Sequence, residues 1–154
     1  AIPSNTPIWI CSFSIPQNAP IDTMLSVAIE KSPFAVALRQ AKQILLAVDG
    51  VKDGTIETLT RAWCVYEGHL AVKYGIPLIV RGPSMTLKFY EGILAAAKNL
   101  DLEACGASSA CDLQRIRDEV GSSAGGFAAI NANVRDAIDW TVHEILLIIK
   151  ANMP

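Results

Sequence analysis

Charge is scarce in this 154-residue chain. Only 18% of the residues are Asp, Glu, Lys or Arg, and the formal net charge is -2. No run of Lys or Arg and no aromatic-plus-basic strip is present, so a field able to hold nucleic acid is excluded. Long apolar runs are missing too. None exceeds five residues, Ile44 to Val48 and Ile145 to Ile149 among them, far short of the roughly 20 residues that a membrane-spanning helix requires. Histidine occurs twice, at positions 69 and 143, and no Ser or Cys elbow accompanies either one. A nucleophilic triad therefore has no support. Cysteine occurs four times, at 11, 64, 105 and 111. That spacing fits no zinc motif, and the number is too low for a disulfide scaffold at this length. Buried free thiols in a reducing intracellular compartment are the expectation, with cytosol and organelle both open. No charged, apolar, small-residue leader opens the chain. It begins Ala1-Ile2-Pro3 without an initiator Met, so a processed product or an excerpt of a longer chain is expected.

What is abundant is apolar material, at 51% of residues. A single domain of this length can bury a real core. So much apolar content beside so little charge implies either a large core or a surface that something else covers.

The pattern alternates strands and helices. Ile8 to Ile15 is β-branched and aromatic and stops at Pro16, which predicts a strand followed by a polar loop from Gln17 to Asp22. Ser32 and Pro33 predict the cap and first position of a helix from Phe34 to Ala41. The apolar run Gln43 to Asp49, ending in Asp-Gly, predicts a strand buried on both faces, as in a parallel sheet. A loop from Gly50 to Thr58 leads to a helix from Leu59 to Tyr74, stopped by Gly75. Pro77 to Arg81 predicts a third strand, ended by Gly82-Pro83, and Leu87 to Leu100 a further helix. Asp112 to Val120 is a short charged helix. The glycines of 121–126 lack phosphate-binding spacing and predict a flexible connection. The last helix is the most periodic element. Val134, Ala137, Ile138, Thr141, Val142, Ile145, Leu146 and Ile149 share one face, and Leu147 and Ile148 widen it near the end. That end is expected to pack deeply or to meet a partner.

These elements make one α/β domain with a small parallel sheet, right-handed crossovers and a long C-terminal helix. A three-layer arrangement of TIR-like or flavodoxin-like type is expected.

Two acids stand out. Glu67 lies on the apolar stripe of its helix, one turn after Trp63 and one turn before Leu70 and Ala71. An ionised carboxylate there is costly unless paired, and such groups carry raised pKa values. A structural role would have Glu67 accept hydrogen bonds from a loop or pair with Arg61, Arg39 or Arg81. Asp49 ends a strand at the carboxyl edge of the expected sheet, where α/β proteins bind ligands. It would alternatively only form the turn with Gly50. Cys64, close to a helix N-terminus, is either buried or a favoured thiolate. The acids Asp101, Glu103, Asp112, Asp118 and Glu119 read as a solvated face.

An apolar strand, a short loop and then Arg61-Ala62-Trp63-Cys64-Val65-Tyr66-Glu67 resembles the third-strand and third-helix region of TIR domains. There a small residue precedes Trp-Cys-x-x-Glu. With Trp9 to Phe13, Gln17, Ser32 to Ala35 and Leu59 to Cys64, the chain resembles a divergent TIR-like group of protists, algae among them, over roughly residues 8 to 82. The resemblance implies that Glu67 is the catalytic residue of NAD cleavage, with NAD as substrate rather than cofactor, and that Trp63 anchors its helix. It also shows a departure: Trp9 to Ile15 resembles the second strand of that fold, and almost nothing precedes it.

Three functions follow as expectations. The first is a non-catalytic interaction module or accessory subunit of a larger complex, with protein partners or copies of itself. The second is an NAD-cleaving hydrolase using Glu67. The third is a small-molecule or nucleotide-binding domain built around Ser14, Asp49, Trp63 and Gly82. No metal is expected.

Overall fold

The computed structural model describes Ile8 and residues 29–153. The expected first strand (apart from Ile8, which is exposed and outside any strand), the loop to Asp22 and the site candidate Ser14 lie outside the described residues.

Helix α1 spans Pro33–Gln40. Ser32 caps it, its Oγ accepting from the Ala35 N–H at 3.4 Å. Strand β1 (Ile44–Ala47) and strand β2 (Leu78–Arg81) pair in parallel, Ile44 opposite Leu78 and Ala47 opposite Arg81. Between them runs helix α2, Ala62–Lys73, which Gly75 terminates at φ 68°. Helices α3 (Leu87–Ala97), α4 (Ala110–Ser122) and α5 (Gly126–Ala151) complete the chain. Thr86 and Ser109 cap α3 and α4 through side-chain oxygens, the usual satisfaction of otherwise orphaned N–H groups. The described chain is thus mixed α/β, with a two-stranded parallel sheet and a long C-terminal helix. No helix of the described residues is long and apolar enough to cross a membrane.

α5 organises the packing. It lies against α2, α3, α4 and β2, and Ile130, Val134, Ile138, Val142, Ile145 and Leu146 are buried along its inner face. The side of the sheet bearing Leu46, Leu78 and Val80 is buried in the core. The opposite side is not: Leu45 is 47% exposed, so β1 is not the strand buried on both faces that its apolar run suggests. A run of Leu and Ile does not say how many faces are covered; only the layers packed on the strand decide that.

β2 is closed at its outer edge. Ile44 N–H donates to Pro77 and Val48 N–H to Arg81, so the carbonyls of Leu78 and Val80, out of phase by one residue, point away from β1. Thr141 Oγ donates to Leu78 at 2.5 Å, and the Arg81 guanidinium donates to Val80 at 2.8 Å. An edge strand is an aggregation hazard unless covered. Here α5 and an arginine cover it, and the described sheet ends there.

Several helix boundaries differ from the sequence expectation. α2 begins at Ala62 rather than Leu59, because Glu57–Thr60 forms a 3₁₀ turn and Arg61 is extended. Arg61 is held that way by a bridge to Gly106: Ala62 N–H donates to Gly106 and Gly106 N–H to Thr60. α3 stops at Ala97. The glycine-rich connection is shorter than expected, since Gly121 and Ser122 still belong to α4 and Gly126 already opens α5.

Candidate functional site

Loop geometry at the carboxyl ends of β1 and β2 shapes an open cavity of about 470 Å³. The chain leaves β1 through Val48 and Asp49 and turns back tightly at Lys52-Asp53-Gly54-Thr55. Asp53 and Gly54 both have positive φ there, the signature of a type I′ turn. Asn99 donates to the Gly54 carbonyl at 3.0 Å and ties the turn to the end of α3. Thr58 Oγ donates to the Ala47 carbonyl at 3.1 Å and pulls the following segment back over β1. The cavity lies between this loop, the first turns of α2 and the Gly82-Pro83 exit of β2.

Asp49 and Gly82 therefore meet in one cavity, together with Glu57, Arg61, Cys64 and Arg81. Arginine and carboxylate charges balance in its wall, a composition suited to a small polar or zwitterionic molecule. Gly82 has a packing reason of its own. A Cβ there would stand 2.2 Å from the Phe89 ring and 2.9 Å from the Val48 carbonyl oxygen. Gly82→Ala is accordingly expected to lower stability by about 1–3 kcal/mol through overpacking. A thermal melt identical to that of the parent would show that Phe89 is not seated on Gly82.

Trp63 turns the other way. Its ring stacks on Phe34 of α1, with centroids 5.2 Å apart, and meets Tyr66 edge-on at 6.5 Å. It fastens α2 to α1 and is not among the cavity-lining residues.

Glu67 sits one turn further along α2 than Cys64, largely buried and outside the cavity wall. Burial pushes its carboxyl up to about 7, and the Arg61 charge counters this only in part. Arg61 forms no ion pair with it. Arg39 is engaged by Tyr74 through a hydrogen bond of 3.2 Å and a ring contact, and Arg81 by the Val80 carbonyl. Among the described residues, Glu67 accepts no hydrogen bond, so the structural pairing expected from sequence is not found there. A carboxyl titrating near 7 can give and take a proton at neutral pH, which is the property required of a general acid or base.

The remaining candidates among the described residues do not line the cavity. The Cys105 thiol is buried, donates to the carbonyls of Leu59 and Asp101 at 3.3 Å, and is pushed up to about 11 by burial, the Asp101 charge adding to this. Cys111 is exposed, against the expectation of buried thiols. Cys11 lies outside the described residues. His69 lies against Tyr66, and its pKa is lowered by burial. His143 is exposed and contacts Asp139 within α5. No cluster of His, Cys, Asp or Glu suited to a metal occurs among the described residues.

The apolar widening expected at Leu147 and Ile148 is exposed, and Trp140, not expected from sequence, joins it. Trp140 is 68% exposed on α5, on the same side as Leu147 at 63% and Ile148 at 57%. Its spacing to Leu147 is seven residues, which was the available signal. The eye is drawn instead to the stronger buried face of the same helix.

No family model, curated protein or solved structure matches the chain.

Proposed function

We propose that this chain is a non-catalytic interaction module or accessory subunit of a larger assembly, and that it docks through the outward face of α5. The observation that carries this is the exposed stripe of Trp140, Leu147 and Ile148. A helix on the surface of a free-standing domain normally turns polar residues outward. An exposed group of large apolar side chains bordered by charges marks an interaction surface, and tryptophan dominates such surfaces energetically. The rim is present in Asp136, Asp139, Glu144 and Lys150. The low charge content of the chain agrees with a surface partly covered in use.

Gel filtration of an unfractionated extract, with antibody detection, tests the reading. The parent chain is expected to elute well above its own mass of 16.5 kDa. Trp140→Glu/Leu147→Glu is expected to elute with the small proteins, its fold intact because both side chains are already in water. Elution of the parent as a free small protein overturns the reading.

A second reading rests on one observation, the largely buried Glu67 carboxyl that titrates near neutrality without a hydrogen-bond partner among the described residues. Together with the TIR-like resemblance of Arg61 to Glu67, this supports NAD cleavage by Glu67, the carboxylate stabilising a cationic sugar-like transition state. Nicotinamide release on incubation with NAD, lost in a folded Glu67→Ala variant, supports it. Equal release by both proteins sinks it.

A further inference from the structure

We infer that the occupant of the α5 stripe is a second copy of this chain, packed with its α5 antiparallel to the first. The inference rests on the interaction reading above and deepens it by naming the partner.

The argument is the distribution of charge along the exposed side. Ordered from the N-terminal end, that side carries Asp136, Asp139, Trp140, His143, Glu144, Leu147, Ile148 and Lys150. Asp136 and Asp139 lie before Trp140, Glu144 lies between Trp140 and Leu147, and the lysine follows Ile148. A two-fold axis passing between His143 and Glu144 makes this surface its own complement. Trp140 then meets Leu147 and Ile148 of the second copy, twice over. Asp136 faces Lys150 of the second copy, while His143 and Glu144, on opposite flanks of the Trp140–Leu147 line, each lie near their own counterpart at the axis. Isologous pairing of this kind is the commonest form of assembly. The opposed helix dipoles add a small favourable term.

A parallel pair fails on the same residues. It would set Asp136 beside Asp136 and Lys150 beside Lys150 of the second copy, and like charges in register repel. The segment from Asp136 to Ala151 is about 24 Å long at 1.5 Å per residue. That contact is near the small end of specific interfaces, so a reversible dimer is expected rather than an obligate one.

Sedimentation velocity of the full chain over a concentration series is the test. The parent is expected to show a reversible monomer–dimer equilibrium. Trp140→Glu and Leu147→Glu are each expected to weaken it about 30-fold or more. Charge reversal separates self-pairing from mere stickiness. Asp136→Lys alone places Lys against Lys150 of the second copy and weakens the dimer, as Lys150→Asp alone does. The double variant Asp136→Lys/Lys150→Asp is expected to recover most of the affinity. Both residues are exposed, so folding is not at stake. A parent that stays monomeric at every concentration overturns the inference, and so does a dimer indifferent to these variants. In either case the extract experiment still decides the broader reading. A large complex lost in Trp140→Glu/Leu147→Glu means a different partner on the same face, and a complex unaffected by those changes removes both.

Discussion

Glu67→Gln is expected to raise the stability of this protein by about 2–3 kcal/mol at pH 8 and to leave it nearly unchanged near pH 4. The carboxyl titrates at about 7 in the folded chain and near the ordinary glutamate value of 4.5 when unfolded. Between those values the folded state holds the proton and the unfolded state has released it. Stability therefore falls as pH rises from about 4.5 to 7, since the unfolded state binds fewer protons. Above pH 7 the folded chain carries a desolvated carboxylate, and the full penalty applies. Glutamine is neutral throughout and nearly isosteric, so it removes that penalty. The figure given is below the simple conversion of the shift because the side chain keeps some contact with water. Urea titrations of both proteins from pH 4 to pH 8 measure the effect. The two curves should diverge as pH rises through this window. A Glu67→Gln variant less stable than the parent at pH 8 would mean that the carboxylate has strong hydrogen-bond donors around it. A residue that costs stability at working pH needs a reason for being there, which is why the same variant belongs in the nicotinamide assay. Gain of stability with loss of release is the trade-off expected of a catalytic group.

Asn131→Ala is expected to lose about 3 kcal/mol, seen as a melting temperature lower by about 8 °C. Asn131 is buried on α5, 7% exposed. Its Oδ1 accepts from the Leu102 N–H at 3.0 Å, and its Nδ2 donates to Asp101 at 3.4 Å. Leu102 is itself 1% exposed. Alanine strands a buried N–H and leaves a small void beside it. The effect extends beyond the pair. The same segment carries Cys105 and Gly106, and Gly106 holds the start of α2 through Ala62 and Thr60. Loss of the Asn131 anchor is therefore expected to loosen the first turn of α2, where Arg61 and Cys64 line the cavity. Faster amide exchange at Ala62 and Gly106 in the variant reports this. A variant that melts with the parent would show that Arg135, which donates to the Leu100 carbonyl at 2.6 Å, holds the segment unaided.

The legible parts of the fold were those governed by local rules. Ser32-Pro33 marks the start of α1 because a hydroxyl and a fixed φ satisfy that end of a helix wherever it sits. Gly75 marks the end of α2 because its positive φ is costly for any residue with a side chain. The inner face of α5 shows its period in plain sight. Asp53-Gly54 carried a turn signal of equal strength, but without apolar alternation on either side it read as part of a longer loop. The start of α2 was not legible, because Arg61 is kept extended by Gly106, forty-five residues further along the chain.

The candidate site divides in the same way. Residue type alone singled out Glu67, since a carboxylate on an apolar stripe is unusual in any context, and Asp49, since it ends a strand. From sequence these two and Trp63 and Gly82 form one group. The tertiary structure separates them: Asp49 and Gly82 share the cavity, Trp63 belongs to the α1 contact, and Glu67 lies behind the wall. Rotation about a helix axis places residues four positions apart on one side only approximately, and the neighbours then decide what each one touches. By itself the sequence determined the alternation of elements, the parallel strands, the long last helix and the oddity of Glu67, because these follow from spacing and from the cost of burying charge. That Trp140 stands in water, that β2 is closed by Thr141 and Arg81, and that Glu67 forms no ion pair among the described residues were decided only in three dimensions. Each depends on which distant segments pack together, and local spacing carries no record of that.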